Sequence, residues 1–159
     1  MNLEQNKAIV RGYLNEIVNN RNLAAFDQYL SEDVVFNEAR GFREQHPARI
    51  QATLGAFPDF HLIIRDQIAE GDKVVTRVTF HGTHQGQFNG IAATGRRVTW
   101  SGMAMDRIAN GKVVEMWHVQ STAGLLQQIG AAAPTQRRDI ARPPTGGASL
   151  LATASQSAT

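Results

Sequence analysis

Apolar residues recur at helical spacing through the first third of the chain and at alternate positions through its middle. Leu3, Val10, Tyr13, Leu14, Ile17 and Val18 fall on one stripe, with Glu4, Lys7, Arg11 and Glu16 largely off it, which predicts a helix over about 3–18. Asn19-Asn20-Arg21-Asn22 ends it, and Asn22 suits the cap of a second, shorter helix running to about Leu30. That helix buries Leu23, Phe26, Tyr29 and Leu30. After Ser31-Glu32-Asp33 comes a short β segment, Val34-Val35-Phe36. A third helix is expected over about 44–56, with Pro47 in its first turn, Ile50, Leu54 and Phe57 facing inward, and Phe57-Pro58 as its stop.

From Asp59 to about residue 121 the period changes to two, the mark of β-strands. Two turns set the registers. Asn110-Gly111 suits a type I′ hairpin, whose central residues both need positive φ. A two-residue loop there pairs Ala109 with Lys112, Met105 with Met116, Met103 with His118 and Ser101 with Gln120. Opposed residues share a face, so one face is expected to carry Ser101, Met103, Met105, Arg107, Val114, Met116, His118 and Gln120. The other carries Trp100, Gly102, Ala104, Asp106, Ile108, Val113, Glu115, Trp117 and Val119. At Glu70-Gly71-Asp72 a three-residue loop sets Phe60, Leu62, Ile64 and Ile68 opposite Gly82, Phe80, Val78 and Val74, an apolar face that His84 extends. A two-residue loop scatters these residues, and a buried face penalises such a slip.

Helices followed by long strands define an α+β class, with three helices on the concave face of a curved antiparallel sheet. A short helix at about Thr122–Gln128 follows, with Gly130 as its C-cap. Residues 131–159, rich in Ala, Pro, Gly, Ser and Thr, are expected to be a disordered tail behind a single domain of residues 1–130.

Charge changes the picture little. Arg137, Arg138 and Arg142 against Asp139 give the tail a net +2, the excess of the whole chain, so residues 1–130 are neutral and no nucleic-acid groove is expected there. Without cysteine there is no disulfide, thiolate nucleophile or Cys-ligated metal. No apolar run reaches the roughly 20 residues of a membrane span. The N-terminus lacks a signal-peptide pattern, so a cytoplasmic location is expected.

Gly82-Thr83-His84-Gln85-Gly86-Gln87-Phe88-Asn89-Gly90-Ile91 and Thr94-Gly95-Arg96-Arg97-Val98 resemble the SnoaL-like polyketide cyclases of the NTF2-like superfamily. So do Asn110-Gly111-Lys112-Val113-Val114-Glu115-Met116-Trp117 and Gly124-Leu125-Leu126-Gln127-Gln128-Ile129-Gly130, with Phe57-Pro58-Asp59 and Glu70-Gly71-Asp72 also fitting, over roughly residues 5–130. The resemblance implies a cone-shaped, often dimeric fold with a cavity between helices and concave sheet. It also implies aldol closure by an aspartate of the last strand, without metal or cofactor. Family members commonly read Trp-Asp-Val-x-Asp there. This chain reads Trp117-His118-Val119-Gln120-Ser121, so both acidic positions are replaced.

His118 is the leading acid/base candidate, since an imidazole titrates near neutral pH and the expected register sets it among Met103, Met105 and Met116. Gln120, Ser101 and His84 are the candidates to hydrogen-bond an enolate oxygen, and Phe60 and Phe80 join the methionines as substrate-binding residues. Against this stands a structural histidine at 118 and a loop-stabilising one at 84. His61 and His81 face each other on the opposite face, in a surface or dimer role, and His46 is expected to face solvent. No HExxH occurs, and His81-x-x-His84 points its rings to opposite faces of a strand, so no metal site is expected. Arg77 and Asp66 fall on opposite faces, and Asp106 and Glu115 are read as surface residues. Gly82, Gly86 and Gly90 lack the Lys-Ser/Thr and the helix of a phosphate loop. Trp100 and Trp117 on one face favour a homodimer.

These residues support a cofactor-free enzyme that moves protons on a hydrophobic, polyketide-like small molecule. A hydroxylase or hydrolase in the same cavity is the enzymatic alternative, and a non-catalytic small-molecule binding protein is the alternative of another class.

Overall fold

In the computed structural model, which describes residues 2–130, Asn2 starts α1 (Leu3–Tyr13) with a reciprocal cap: its side chain accepts the Gln5 N–H while the Gln5 side chain accepts its own. The expectation for residues 131–159 lies outside the described residues. The stripe continues past Tyr13 as a widened π-helical turn, Leu14–Asn19. That turn brings Asn19 against β2 (His61–Glu70), where its amide accepts the Leu62 N–H at 2.9 Å and donates to the Leu62 carbonyl at 3.0 Å. A side chain thus occupies hydrogen-bonding groups that a sheet-edge strand leaves open.

A 3₁₀ turn (Leu23–Ala25) and the short α2 (Phe26–Tyr29) lead into β1 (Leu30–Phe36). Asn22 makes no side-chain cap there; its amide bonds Glu16 instead. Next come α3 (Phe42–Ala56), β2, β3 (Lys73–Thr83), β4 (Arg97–Ala109), β5 (Lys112–Gln120) and α4 (Thr122–Gln128). α3 starts two residues earlier than expected, which puts Pro47 in its second turn and not its first. The curved sheet has the order β1-β5-β4-β3-β2, antiparallel except that β1 runs parallel to β5. Among the described residues no helix is long and apolar enough to cross a membrane.

Two β-bulges correct the expected registers. The Asn110-Gly111 hairpin opens as read, with φ of 51° and 78° at the two residues and Ala109 against Lys112. Then Ile108 faces Val113 while Arg107 faces Glu115, so Val114 is an extra residue. Met105 therefore opposes Trp117 and not Met116, Met103 opposes Val119 and not His118, and Gly102, not Ser101, opposes Gln120. Every residue of β5 beyond the bulge changes face relative to β4. The slip lets Trp100, Ile108, Val113 and Met116 all be buried together, which a continuous ladder forbids. It also leaves Arg107 and Glu115 paired at 2.6 Å on the convex side.

On β2 the bulge is at Arg65. Leu62 and Ile64 face Phe80 and Val78 as expected, but the loop is the two-residue Gly71-Asp72, and Ile68 faces Val75 instead of Val74. Ile68 is 70% exposed. Asp66 and Arg77, expected on opposite faces, are opposed and joined at 2.7 Å in an exposed ion pair. His61 and His81 do oppose each other, with ring centroids 5.0 Å apart.

Candidate active site

Helices on the concave side enclose a cavity of about 180 Å³. Its floor is the concave face of β3, β4 and β5, and its walls come from α1, the π turn and α3. Alternation along β4 aims Trp100, Ala104 and Asp106 inward, and the Val114 bulge brings Met116, His118 and Gln120 of β5 to the same side. Phe60 stacks on Phe80 with centroids 5.7 Å apart, and Trp100 lies within 6 Å of both rings. The setting is apolar, with a few polar groups converging on it.

His118 is fixed from behind. Asn37, at a left-handed φ of 46°, follows β1 and accepts the His118 N–H at 2.8 Å while donating to its carbonyl at 3.2 Å. The imidazole lies among Phe36 and Phe80, at 6.3 and 5.9 Å between centroids. Burial, and secondarily the charge of Arg49, holds its pKa below the ordinary histidine value, so the ring is neutral near pH 7. Gln120 accepts the Trp100 indole N–H at 3.1 Å, which orients its amide beside the cavity.

Asp106 is the carboxyl of the cavity, and it is 2% exposed. Burial raises its pKa to about 7. It opposes Met116, as Ala104 opposes His118, so Asp106 and His118 are diagonal neighbours on one face. Such Cα atoms lie about 7–8 Å apart, within reach of one bound molecule. Tyr13 lines the same space, and burial and then Asp106 push its phenol above the ordinary range. His46, expected in solvent, is 6% exposed against Phe26 and Phe42, and its pKa is lowered to about 4 by burial and Arg49.

Of the residues marked in the sequence, His118, Gln120, Phe60, Phe80 and Met116 line the cavity. Ser101, Met103 and Met105 do not: the bulge puts them on the convex face, where Met103 is 45% exposed. Trp100, expected to share an outer face with Trp117, is inside. His84 is fully buried behind the lining, its ring 5.5 Å from that of Phe57 and bonded through Nδ1 to Thr94 Oγ1 at 3.0 Å. Its N–H bonds the Arg96 carbonyl and its carbonyl accepts the Gly95 N–H, so it closes the loop that carries Phe88 into the cavity wall. Asp106, read from the sequence as a surface residue, and His46, expected in solvent, both line the cavity instead, as does Arg49, to which the sequence assigned no role. The available signal was Asp106 itself, a lone acid in the alternation Trp100, Gly102, Ala104, Ile108.

Gly102 keeps the floor open. A Cβ there comes within 2.6 Å of the Phe80 ring and 3.2 Å of His118 Nε2. Phe80 is held between two other rings, so it has little room to give. Gly102→Ala is expected to cost about 1–3 kcal/mol of stability in denaturant titration, as overpacking does.

An α+β fold in which helices and a curved sheet enclose an apolar cavity with a buried carboxyl and imidazole is of the NTF2-like type. Over residues 8–129 the chain matches the family described as SnoaL-like polyketide cyclase, and it belongs to that family. Among solved structures it is similar to AclR from Streptomyces galilaeus, provisionally assigned as a hydroxylase (30% identity, 83% of this chain and 100% of that one, TM-score 0.73). It is also similar to TsrD from Streptomyces laurentii (27%, 83% and 99%, 0.73). A third is IdmH from Streptomyces antibioticus, provisionally a polyketide cyclase (27%, 79% and 99%, 0.72). No curated protein sequence gives a significant match.

Proposed function

We propose that the protein catalyses cofactor-free proton transfer, of the aldol-cyclisation type, on a hydrophobic polyketide-like substrate. The observation that carries this reading is the pair Asp106 and His118 on one buried floor. Neutral His118 removes a proton from a carbon flanked by two carbonyls. The protonated carboxyl of Asp106 donates to the oxygen on which charge develops, and the Gln120 amide supports the enolate. The family places its acid on the last strand; here β5 supplies the imidazole and β4 the carboxyl. His84, behind the lining, serves the loop and not the proton transfer.

Mass spectrometry of ligand released from the purified protein tests the substrate class. A compound with an enolisable β-dicarbonyl carbon on an unsaturated or aromatic body is expected. A saturated lipid with no acidic C–H bond overturns the reading. The likeness to AclR favours a second reading, addition of the same carbanion to dioxygen with uptake of a proton to give a hydroperoxide, and oxygen uptake during turnover separates the two.

The enzyme is further proposed to act in the cytoplasm as a homodimer, for a reason different from the one the sequence offered. Ile68, Val75, Met105 and Trp117 form one row across the convex face, flanked by Met103 and Val119. Ile68 and Val119 are each 70% exposed. A twofold axis through this face brings the row against its copy and covers it. Light scattering at micromolar concentration is expected to give twice the 17.4 kDa chain mass; the monomer mass contradicts it.

A further inference from the structure

We infer that the cavity selects an anionic substrate, an aromatic or unsaturated carboxylate whose charged group pairs with Arg49 at the mouth while its apolar body lies inside. This rests on the reading of the cavity as the substrate site and adds the charge of what enters it.

Arg49 stands on α3 three residues after His46, so the two share the side of the helix that faces the sheet, and both line the cavity. Its guanidinium lies 4.7 Å from the centroid of Phe36, another lining residue. Stacking on a ring leaves the N–H edge of a guanidinium available for a carboxylate. Among the described residues that edge has no acceptor. The ion pairs use Lys7, Arg43, Arg77 and Arg107, and Arg11, Arg21, Arg65 and Arg96 each donate to a protein oxygen. Arg49 is exposed and donates to none.

The other polar groups of the cavity do not neutralise it. Asp106 is governed by burial, whereas the charge of Arg49 bears on Tyr13, His46 and His118. With both histidines neutral near pH 7, Arg49 carries the positive charge of the site. Arg49 makes no ion pair with Asp106, the carboxyl that lines the chamber, so a bound carboxylate supplies the partner that its guanidinium lacks. The chamber, about 180 Å³, exceeds the ~150 Å³ that holds benzene in an engineered apolar cavity, so a fused ring pair is a suitable probe.

Calorimetric titration of the full chain with 2-naphthoate and with the isosteric, neutral 2-naphthamide tests the inference. The wild type is expected to bind the carboxylate about tenfold more tightly than the amide. Arg49→Met should erase that preference while leaving amide affinity nearly unchanged, and Arg49→Lys should keep part of it. Equal binding of the two probes by the wild type, or a preference that survives Arg49→Met in a protein with native circular dichroism, overturns the inference and leaves the cavity reading standing. Failure of both probes to bind the folded wild type overturns the cavity reading, and this inference with it.

Discussion

His118→Ala is expected to abolish turnover while leaving the far-ultraviolet spectrum and the oligomeric state unchanged. Loss of a general base typically lowers the rate about 10²–10⁴-fold. The fold should survive because the backbone of His118, and not its ring, makes the hydrogen bonds to Asn37 that fix the end of β5. His118→Asp, which restores the residue usual in the family, should keep a measurable fraction of the rate. Free side chains would predict a pH profile displaced far to acid in that variant. Burial opposes this, because it raises a carboxyl as it lowers an imidazole, so the two acid limbs should lie closer together. Retention of full activity by His118→Ala would reject the assignment and direct attention to Asp106 alone.

Asp106→Asn should raise stability in alkali and depress activity at once. The folded pKa of about 7 lies above the ordinary 3.8, so between those values the native state holds a proton that the unfolded chain releases. Stability therefore falls as pH rises through that window, and the penalty is complete above about pH 7. The span corresponds to on the order of 4 kcal/mol at most. The amide cannot ionise, so the variant should lose this slope and exceed the wild type at pH 8 by up to that amount. Denaturant titrations at pH 5 and pH 8 measure it. Parallel pH dependence in the two proteins would mean that Asp106 is ionised and solvated in the fold. Activity at pH 7 should fall about 10²-fold, since an amide donates a hydrogen bond but no proton.

The element pattern was legible because each signal was local. The stripe through Ile17 and Val18, the stop at Phe57-Pro58, the Asn110-Gly111 turn and the helix at Thr122–Gln128 follow from spacing and turn chemistry, and the structure has all of them. The family motifs were equally readable, and the match over residues 8–129 agrees with them. The inward set was only half legible. Alternation correctly grouped Trp100, Gly102, Ala104, Asp106 and Ile108 on one face of β4, and His118 with Met116 and Gln120 on one face of β5. Which of these faces meet depends on the extra residue at Val114, and nothing in Lys112-Val113-Val114-Glu115 announces a bulge. The bulge is chosen by tertiary burial, since only the slipped register hides Trp100 and Met116 on the same side. One residue of slip thus exchanged Met103 and Met105 for Trp100 and Asp106 in the candidate site. His46 was missed for a related reason: α3 is nearly even in its polarity, so its inward face is set by packing on Phe26 and Phe42 and not by a visible stripe.

The pH dependence of protein-catalysed deuterium exchange at the central carbon of an aryl 1,3-diketone tests the paired floor most directly. The wild-type rate is expected to rise as His118 loses its proton, below the ordinary histidine pKa, and to fall above about pH 7 as Asp106 ionises. In Asp106→Asn the alkaline fall should vanish at a reduced rate, and in His118→Ala exchange should drop to the buffer background. A doubly substituted protein that exchanges at the wild-type rate with the wild-type profile would contradict the account.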